Sequence, residues 1–78
     1  MKVYETDAVV KYLKKRSLIK QYLKVKNYFE LGYTQMINLK LLKPKKDEHF
    51  QFKINDKYRA RGYYKENGFL VTDISDHQ

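Results

Sequence analysis

The segment from Ile54 to Tyr64, INDKYRARGYY, places two arginines and a tyrosine at alternate positions. In a β-strand, successive side chains point to opposite faces, so Arg59, Arg61 and Tyr63 would share one face. The residues between them are aromatic or small and would share the other face: Tyr58, Ala60, Gly62 and Tyr64. Guanidinium groups bind phosphate oxygens, and an exposed aromatic ring can stack on a base. The pattern therefore predicts a strand with one face in the core and the other face binding a phosphate chain.

The composition predicts one small folded domain over residues 1–78. The chain of 78 residues is 42% hydrophobic, with eight Tyr and four Phe, which is too apolar for a disordered tail. Its formal net charge of +8 favours a polyanionic partner, which could be nucleic acid, an anionic membrane or an acidic protein. The alternative is that this charge only keeps a small domain soluble. No sequence run approaches the ~20 apolar residues of a membrane span, so we expect no membrane partner.

The residue types exclude several kinds of chemistry. The chain has no Cys, which excludes disulfides, thiol nucleophiles and cysteine zinc sites and fits a reducing, cytoplasmic location. The two histidines, His49 and His77, are far apart in sequence and lack a metal-ligand spacing. We therefore expect neither a metal nor another cofactor.

The first half of the chain predicts an edge strand followed by two helices. Residues 1–5 form the strand, and Thr6 or Asp7 caps the first helix, because a side-chain oxygen can bind free N–H groups there. Ser17 is the expected cap of the second helix, and Gly32 is expected to end it in a left-handed conformation. The second helix has one apolar face, formed by residues spaced four, three and four apart: Leu18, Tyr22, Val25 and Phe29.

The second half predicts four strands, β-β-β-β, with polar connections. Apolar and polar residues alternate over residues 36–41, and a charged loop over residues 43–48 contains the only proline. Further strands are expected to end near Ile54, to run over residues 58–65 and to run over residues 69–75. The first turn, residues 55–57, would place Phe52 opposite Ala60 and Phe50 opposite Gly62.

The second turn allows two registers. A two-residue Asn67–Gly68 turn would turn Val71, Asp73 and Ser75 toward the core, whereas a three-residue turn over residues 66–68 would turn Leu70, Thr72 and Ile74 inward. Burial favours the three-residue turn. It predicts a polar outer face on which Lys53 lies opposite Arg59 and Arg61 lies opposite Asp73. The residues of this predicted face are Gln51, Lys53, Arg59, Arg61, Tyr63, Val71, Asp73, Ser75 and His77. From spacing alone, a solvated sheet face is as acceptable as an anion-binding groove.

The segment FQFKINDKYR, from Phe50 to Arg59, resembles the hallmark segment of the RelE/ParE superfamily of bacterial toxins, and most closely its HigB-like branch. Lys53 occupies an arginine position of that pattern, Ile54–Asn55 match it, and Tyr58 and Arg59 are its aromatic residue and arginine. The closing segment from Ile74 to His77 resembles the final strand of the family. The resemblance implies an α+β, RelE-like fold, β-α-α-β-β-β-β, with two N-terminal helices packed on one face of a twisted, mainly antiparallel sheet.

The resemblance also implies a function. Many relatives are toxins of type II toxin–antitoxin systems that cut messenger RNA, often on the ribosome, and are neutralised by a cognate antitoxin protein. The alternatives are a toxin like those of the ParE branch, which inhibits DNA gyrase without cutting RNA, and a relative that binds RNA without catalysis.

The candidate catalytic residues are Arg59, Lys53 and His77. RNA cleaves itself when the 2′-OH is deprotonated, the phosphate charge is neutralised and the leaving 5′-oxygen is protonated. Arg59 and Lys53 would stabilise the phosphate charge. The imidazole of His77 would transfer protons, since its pKa lies near neutral pH. Either His77 or Gln78 takes the position of the family's terminal histidine. The alternative for Arg59 is that it orders the turn or pairs with a carboxylate. The candidate RNA-binding residues are Arg61, Tyr63, Lys57, Lys43, Lys45 and Lys46.

Overall fold

The computed structural model describes residues 1–76 and contains one strand, then two α-helices, then four strands along the chain. Strand β1 spans Lys2–Glu5 and is followed by helix α1 (Asp7–Lys15) and helix α2 (Ile19–Glu30). The remaining strands are β2 (Lys40–Leu41), β3 (His49–Lys53), β4 (Tyr58–Lys65) and β5 (Gly68–Asp76). Short 3₁₀ helices cover Thr34–Ile37 and Lys45–Asp47. The five strands form one sheet in the order β1-β5-β4-β3-β2, in which only the β1–β5 pair is parallel. The predicted α+β class is confirmed.

Both helices pack against the same face of the sheet, which we call the inner face. Phe29 of α2 lies at the centre, with its ring centroid 4.9 Å from that of Phe69 and 5.3 Å from that of Phe52. The core also includes buried residues from both helices and from the sheet: Val3, Val9, Leu13, Tyr22, Ala60 and Val71. No helix within residues 1–76 is long and apolar enough to cross a membrane.

The helix ends follow local hydrogen bonding. Thr6 caps α1 as predicted, since its Oγ1 accepts a hydrogen bond from the Val9 N–H at 3.2 Å. The predicted Ser17 cap is wrong: Ser17 is left-handed, with a φ of 56°, and the Leu18 N–H donates to the Leu13 carbonyl at 2.8 Å. These contacts make Ser17 the residue after the end of α1, because the α1–α2 connection is too short for a separate cap. Gly32, with a φ of 89°, ends α2 as predicted.

The strand predicted over residues 36–41 is wrong for most of its length. Thr34–Ile37 form a 3₁₀ turn, Asn38 is left-handed with a φ of 53°, and only Lys40–Leu41 pair with β3. Ile37 is nevertheless buried, because the 3₁₀ turn directs it into the core. The alternation therefore predicted the burial of Ile37 correctly, but Leu41 is 39% exposed and most of the segment is not a strand.

The register of the β3–β4 hairpin is the predicted one. Phe52 lies opposite Ala60, Phe50 opposite Gly62, and Lys53 opposite Arg59.

The β4–β5 turn differs from both predicted forms. Lys65 pairs with Gly68, so Glu66 and Asn67 form the turn. The register puts Phe69 and Val71 in the core, so the prediction that Val71 lies on the outer face and Leu70 in the core is wrong. A second strand selects this register: β1 lies so close to Gly68 that an added Cβ would sit 2.1 Å from the Lys2 carbonyl oxygen.

A register shift at Arg61/Gly62 brings the later part of β5 back to the predicted pairing. Gly62 lies opposite Val71, whereas Arg61 lies opposite Asp73, so Thr72 is an extra residue in β5. A β-bulge of this kind exchanges the faces of the residues that follow it. Ala60 therefore faces Ile74, and Arg61 faces Asp73 as predicted.

Candidate functional site

The face of the sheet opposite the two helices carries most of the predicted site residues. The β3–β4 register and the bulge in β5 place polar side chains there because strand residues alternate between faces. We call it the outer face, and it comprises His49, Gln51 and Lys53 of β3, Arg59, Arg61 and Tyr63 of β4, and Leu70, Asp73 and Ser75 of β5. Both described α-helices pack on the inner face, so neither covers it.

Lys53 and Arg59 lie together at the end of the outer face next to the β3–β4 turn. Arg59 Nη1 donates to the carbonyl oxygens of Asn55, of Asp56 at 3.1 Å and of Tyr58 at 3.2 Å. Lys53 Nζ lies 2.8 Å from Asp56 Oδ1, and the hydrogen bond and charge of Lys53 lower the pKa of the Asp56 carboxyl, with a smaller contribution from Arg59. These contacts fit the alternative that Arg59 orders the turn, and the catalytic role of the two cations stays a prediction.

The turn itself is organised by Asn55. Its Oδ1 accepts hydrogen bonds from the N–H groups of Lys57 at 2.9 Å and Tyr58 at 2.8 Å, and its amide nitrogen donates to Gln21 on α2 at 2.6 Å. Lys57 is exposed at the tip, and its Nζ lies 4.0 Å from Asp76 Oδ2. The Ile-Asn-Asp-Lys-Tyr segment that carries the family resemblance therefore fixes the position of both cations.

Arg61 and Asp73 form the middle of the outer face. Arg61 Nη2 lies 3.1 Å from Asp73 Oδ2, as the predicted cross-strand pairing requires. The hydroxyl of the bulged Thr72 lies 3.3 Å from the Arg61 carbonyl oxygen and 3.1 Å from Asp73 Oδ1. Arg61 Nε is buried and has no hydrogen-bond partner among residues 1–76. The Arg61 side chain as a whole is 42% exposed, so a ligand can reach the guanidinium but not this buried nitrogen.

A cleft of about 280 Å³ opens beside this ion pair, between the β2–β3 loop and the bulge in β5. His49 lies in it, and sequence reasoning identified no partner for this residue. The structure pairs His49 with Tyr63 on β4, with the ring centroids 6.1 Å apart. The predicted β3–β4 register contained this signal, because a pairing of Phe50 with Gly62 places His49 opposite Tyr63.

The loop lysines surround this part of the face. Lys43 lines the cleft, and Lys45 lines a second groove of about 390 Å³ that also contains Tyr63. Lys46, which follows Lys45 in the sequence, is exposed. Tyr63 is 37% exposed, which leaves its ring available for stacking. The structure therefore brings Arg61, Tyr63 and the loop to one region, separate from the turn cations.

His77, the predicted proton-transfer residue, and Gln78 lie outside the described residues. Within residues 1–76, no group of three or more His, Cys, Asp or Glu side chains is arranged to hold a metal ion.

No protein-family model matches the chain, and a search of curated proteins finds no match. The resemblance to the RelE/ParE superfamily therefore rests on the sequence segment described above.

Proposed function

We propose that this chain is the toxin of a bacterial type II toxin–antitoxin system, a RelE/ParE superfamily member of the HigB/RelE-like kind that cleaves messenger RNA in the cytoplasm. The proposal includes action on the ribosome and neutralisation by a cognate antitoxin protein. One observation carries it: Lys53, Arg59 and Arg61 lie on adjacent strands on the face of the sheet that the two helices leave uncovered. The segment that resembles the family forms the hairpin that positions the first two.

The proposed chemistry is attack of the RNA 2′-oxygen on the adjacent phosphorus, with release of the 5′-oxygen. Lys53 and Arg59 stabilise the negative charge that develops on the phosphate oxygens at the cleaved bond, and Arg61 contacts the same strand farther along the face. His77 transfers a proton, as the resemblance implies. The exposed Lys53–Asp56 ion pair does not prevent this role, because its Asp56 side chain is 99% exposed and surface ion pairs are weak enough to exchange for a phosphate contact.

A second candidate function is RNA binding without cleavage. The contacts of Arg59 favour it, because a guanidinium that donates to three carbonyl oxygens of its own turn has fewer donors left for a transition state. Both functions use the same face and differ in whether the bound strand is cut.

The decisive experiment compares Lys53→Gln with Lys20→Gln. Each removes one positive charge, but Lys20 is an exposed residue of α2, away from the outer face. Each protein is induced in bacteria and the 5′ ends of messenger RNA are mapped. We expect new 5′ ends with the wild type and Lys20→Gln, and a loss of at least tenfold with Lys53→Gln.

The other outcomes separate the alternatives. Growth arrest with intact transcripts and DNA damage would indicate a gyrase inhibitor. Intact transcripts together with RNA binding in vitro would indicate the non-catalytic function. Cleavage that is equal in the two variants would refute the role of the outer face. Co-expression of a small acidic protein encoded next to the gene should restore growth if it is the antitoxin.

Salt dependence tests the binding surface independently of cleavage. Each phosphate neutralised on a single strand contributes a slope of about −0.7 in a plot of log affinity against log salt concentration. Three cations on the outer face therefore predict a slope of about −2, reduced by about 0.7 in Lys53→Gln and unchanged in Lys20→Gln. A flat salt response contradicts a cationic RNA-binding face.

A further inference from the structure

The cleft beside the Arg61–Asp73 pair differs from the rest of the outer face in its charge. Two cations line it, Lys43 and Arg61, and two carboxylates line it, Asp47 and Asp73. A phosphate group requires an excess of positive charge, whereas a balanced set of donors and acceptors suits a polar ligand without charge. The cleft therefore fits a nucleobase better than it fits a phosphate.

The size and walls of the cleft agree with a base. Its volume of about 280 Å³ lies just below the range of about 300–1,000 Å³ for drug-sized ligands, so it accommodates a smaller group such as a single base. His49 contributes an aromatic ring to the lining of the cleft. Unstacked bases of single-stranded RNA are held by such rings and are read through hydrogen bonds to their edges.

The hydrogen-bonding groups in the cleft select among the four bases. Asp73 offers two carboxylate oxygens, Oδ2 at 3.1 Å from Arg61 Nη2 and Oδ1 at 3.1 Å from the Thr72 hydroxyl. The Asp73 and Arg61 side chains are 51% and 42% exposed, so the pair can also accept from and donate to a ligand. The Watson–Crick edge of guanine carries two adjacent donors, N1–H and the N2 amino group, next to the acceptor O6. A carboxylate next to a guanidinium matches that order, since the carboxylate can accept both donors while the guanidinium donates to O6. No other RNA base has two adjacent donors on this edge.

We propose that this cleft binds one unpaired guanine base of an RNA strand lying on the outer face. Asp73 accepts from guanine N1–H and the N2 amino group, Arg61 donates to O6, and His49 stacks on the ring. The phosphates of the same strand are held by the surrounding lysines. The inference rests on the proposed RNA-binding function and adds to it a base preference.

The experiment measures binding of five-nucleotide strands, UUXUU, by fluorescence anisotropy, with X as each of the four bases. The strands carry 2′-fluoro sugars, which lack the attacking hydroxyl and so cannot be cleaved by this route. The wild type should bind the guanine strand about 5–150-fold more tightly than the other three, which is the discrimination expected of one bidentate pair.

Asp73→Asn is the test variant and Asp76→Asn its matched control. Each change removes one negative charge from β5, but Asp76 lies opposite Tyr58 at the end of the strand, outside the outer face, with its Oδ2 4.0 Å from Lys57 Nζ. Asp73→Asn should lose most of the guanine preference, because an amide has a single acceptor oxygen and turns donors toward guanine. Asp76→Asn should keep the preference. The base preference of the wild type is measured independently of this variant, so the inference can be refuted even if Asp73→Asn folds poorly.

The outcomes separate this inference from the proposed function. Measurable but equal binding of all four strands, or a preference for another base, refutes the guanine site and leaves RNA binding intact. Inorganic phosphate that competes as well as guanosine monophosphate shows that the cleft holds phosphate and also refutes the inference. No binding to any strand refutes the proposed function and the guanine site together.

Discussion

Replacing Gly62 with alanine should disturb the bulge that places Arg61 opposite Asp73. A Cβ added at Gly62 would lie 1.9 Å from the Leu70 carbonyl oxygen, 2.8 Å from the Leu70 carbonyl carbon and 2.9 Å from Phe69 Cε1. Two of these atoms belong to the backbone of β5, and the third belongs to a fully buried ring, so none can turn away cheaply. Strand β5 must therefore shift along or away from β4.

The expected loss of stability follows from two opposing effects. Forcing one extra carbon into a packed site costs about 1–3 kcal/mol. Alanine also stiffens the unfolded chain relative to glycine, which offsets about 0.4–1 kcal/mol. The midpoints of these two ranges leave a net fall in the free energy of unfolding of about 1.3 kcal/mol, which lowers the melting temperature of a domain this small by roughly 5–10 °C.

Thermal unfolding followed by circular dichroism, together with amide NMR spectra, checks this prediction. Gly32→Ala is the control: its φ of 89° makes alanine unfavourable, but no atom lies within 4 Å of the added Cβ. We expect both variants to lose stability, with amide shifts over residues 60–62 and 69–73 only in Gly62→Ala. A Gly62→Ala protein as stable as the wild type, with unchanged shifts on β5, would refute the steric argument.

Three further predictions concern a core tyrosine, the β3–β4 turn and the cap of α1. Burial and the hydrogen bond to Glu5 raise the pKa of Tyr22 above 10.0, so the neutral hydroxyl stabilises the fold below pH 10. Above pH 10, urea titrations should show the free energy of unfolding falling more steeply in the wild type than in Tyr22→Phe, by up to ~1.4 kcal/mol per pH unit. Arg59→Ala should lower the free energy of unfolding by about 1–2 kcal/mol because the Asn55 and Asp56 carbonyls lose their side-chain donor. The exposed Lys57→Ala should stay within about 0.5 kcal/mol, and equal effects would contradict the turn-ordering contacts. Thr6→Ala should cost about 1 kcal/mol in the same measurement, and a neutral result would contradict the cap.

Local sequence patterns predicted the elements that depend on neighbouring residues. The spacing of Leu18, Tyr22 and Phe29 identified the buried side of α2, since a helix repeats every 3.6 residues whatever it packs against. Gly32 ended the helix because glycine accepts a positive φ. The short turn around Asn55 fixed the β3–β4 register by its length alone.

The wrong predictions concern places where another part of the chain competes. Ser17 was expected to begin α2, but α1 and α2 are joined so closely that the end of α1 uses this residue. The β4–β5 register follows from the close approach of β1 to Gly68 and from the packing of Phe69 against Phe29. Neither contact involves residues that are near in sequence, so the turn residues could not reveal them.

The candidate site was predicted in part for the same reason. Alternation placed Lys53, Arg59 and Arg61 on one face correctly. It could not show that Arg59 Nη1 turns toward the carbonyls of its own turn, because a long side chain chooses its partners in three dimensions. His49 was overlooked because the loop that closes the cleft around it has no periodic pattern.

The sequence by itself determined an α+β chain with a strongly positive charge, two amphipathic helices, and a hairpin whose alternating residues separate core from cations. Short-range geometry is sufficient for those features, because helical and strand periods and turn length are set within a few residues. Only the tertiary structure decided the bulge at Thr72, through which Asp73 reaches its predicted position opposite Arg61, and the cleft beside them. These depend on how β1, β5 and the β2–β3 loop pack together, since contacts between residues distant in sequence choose among registers that local patterns leave nearly equal in energy.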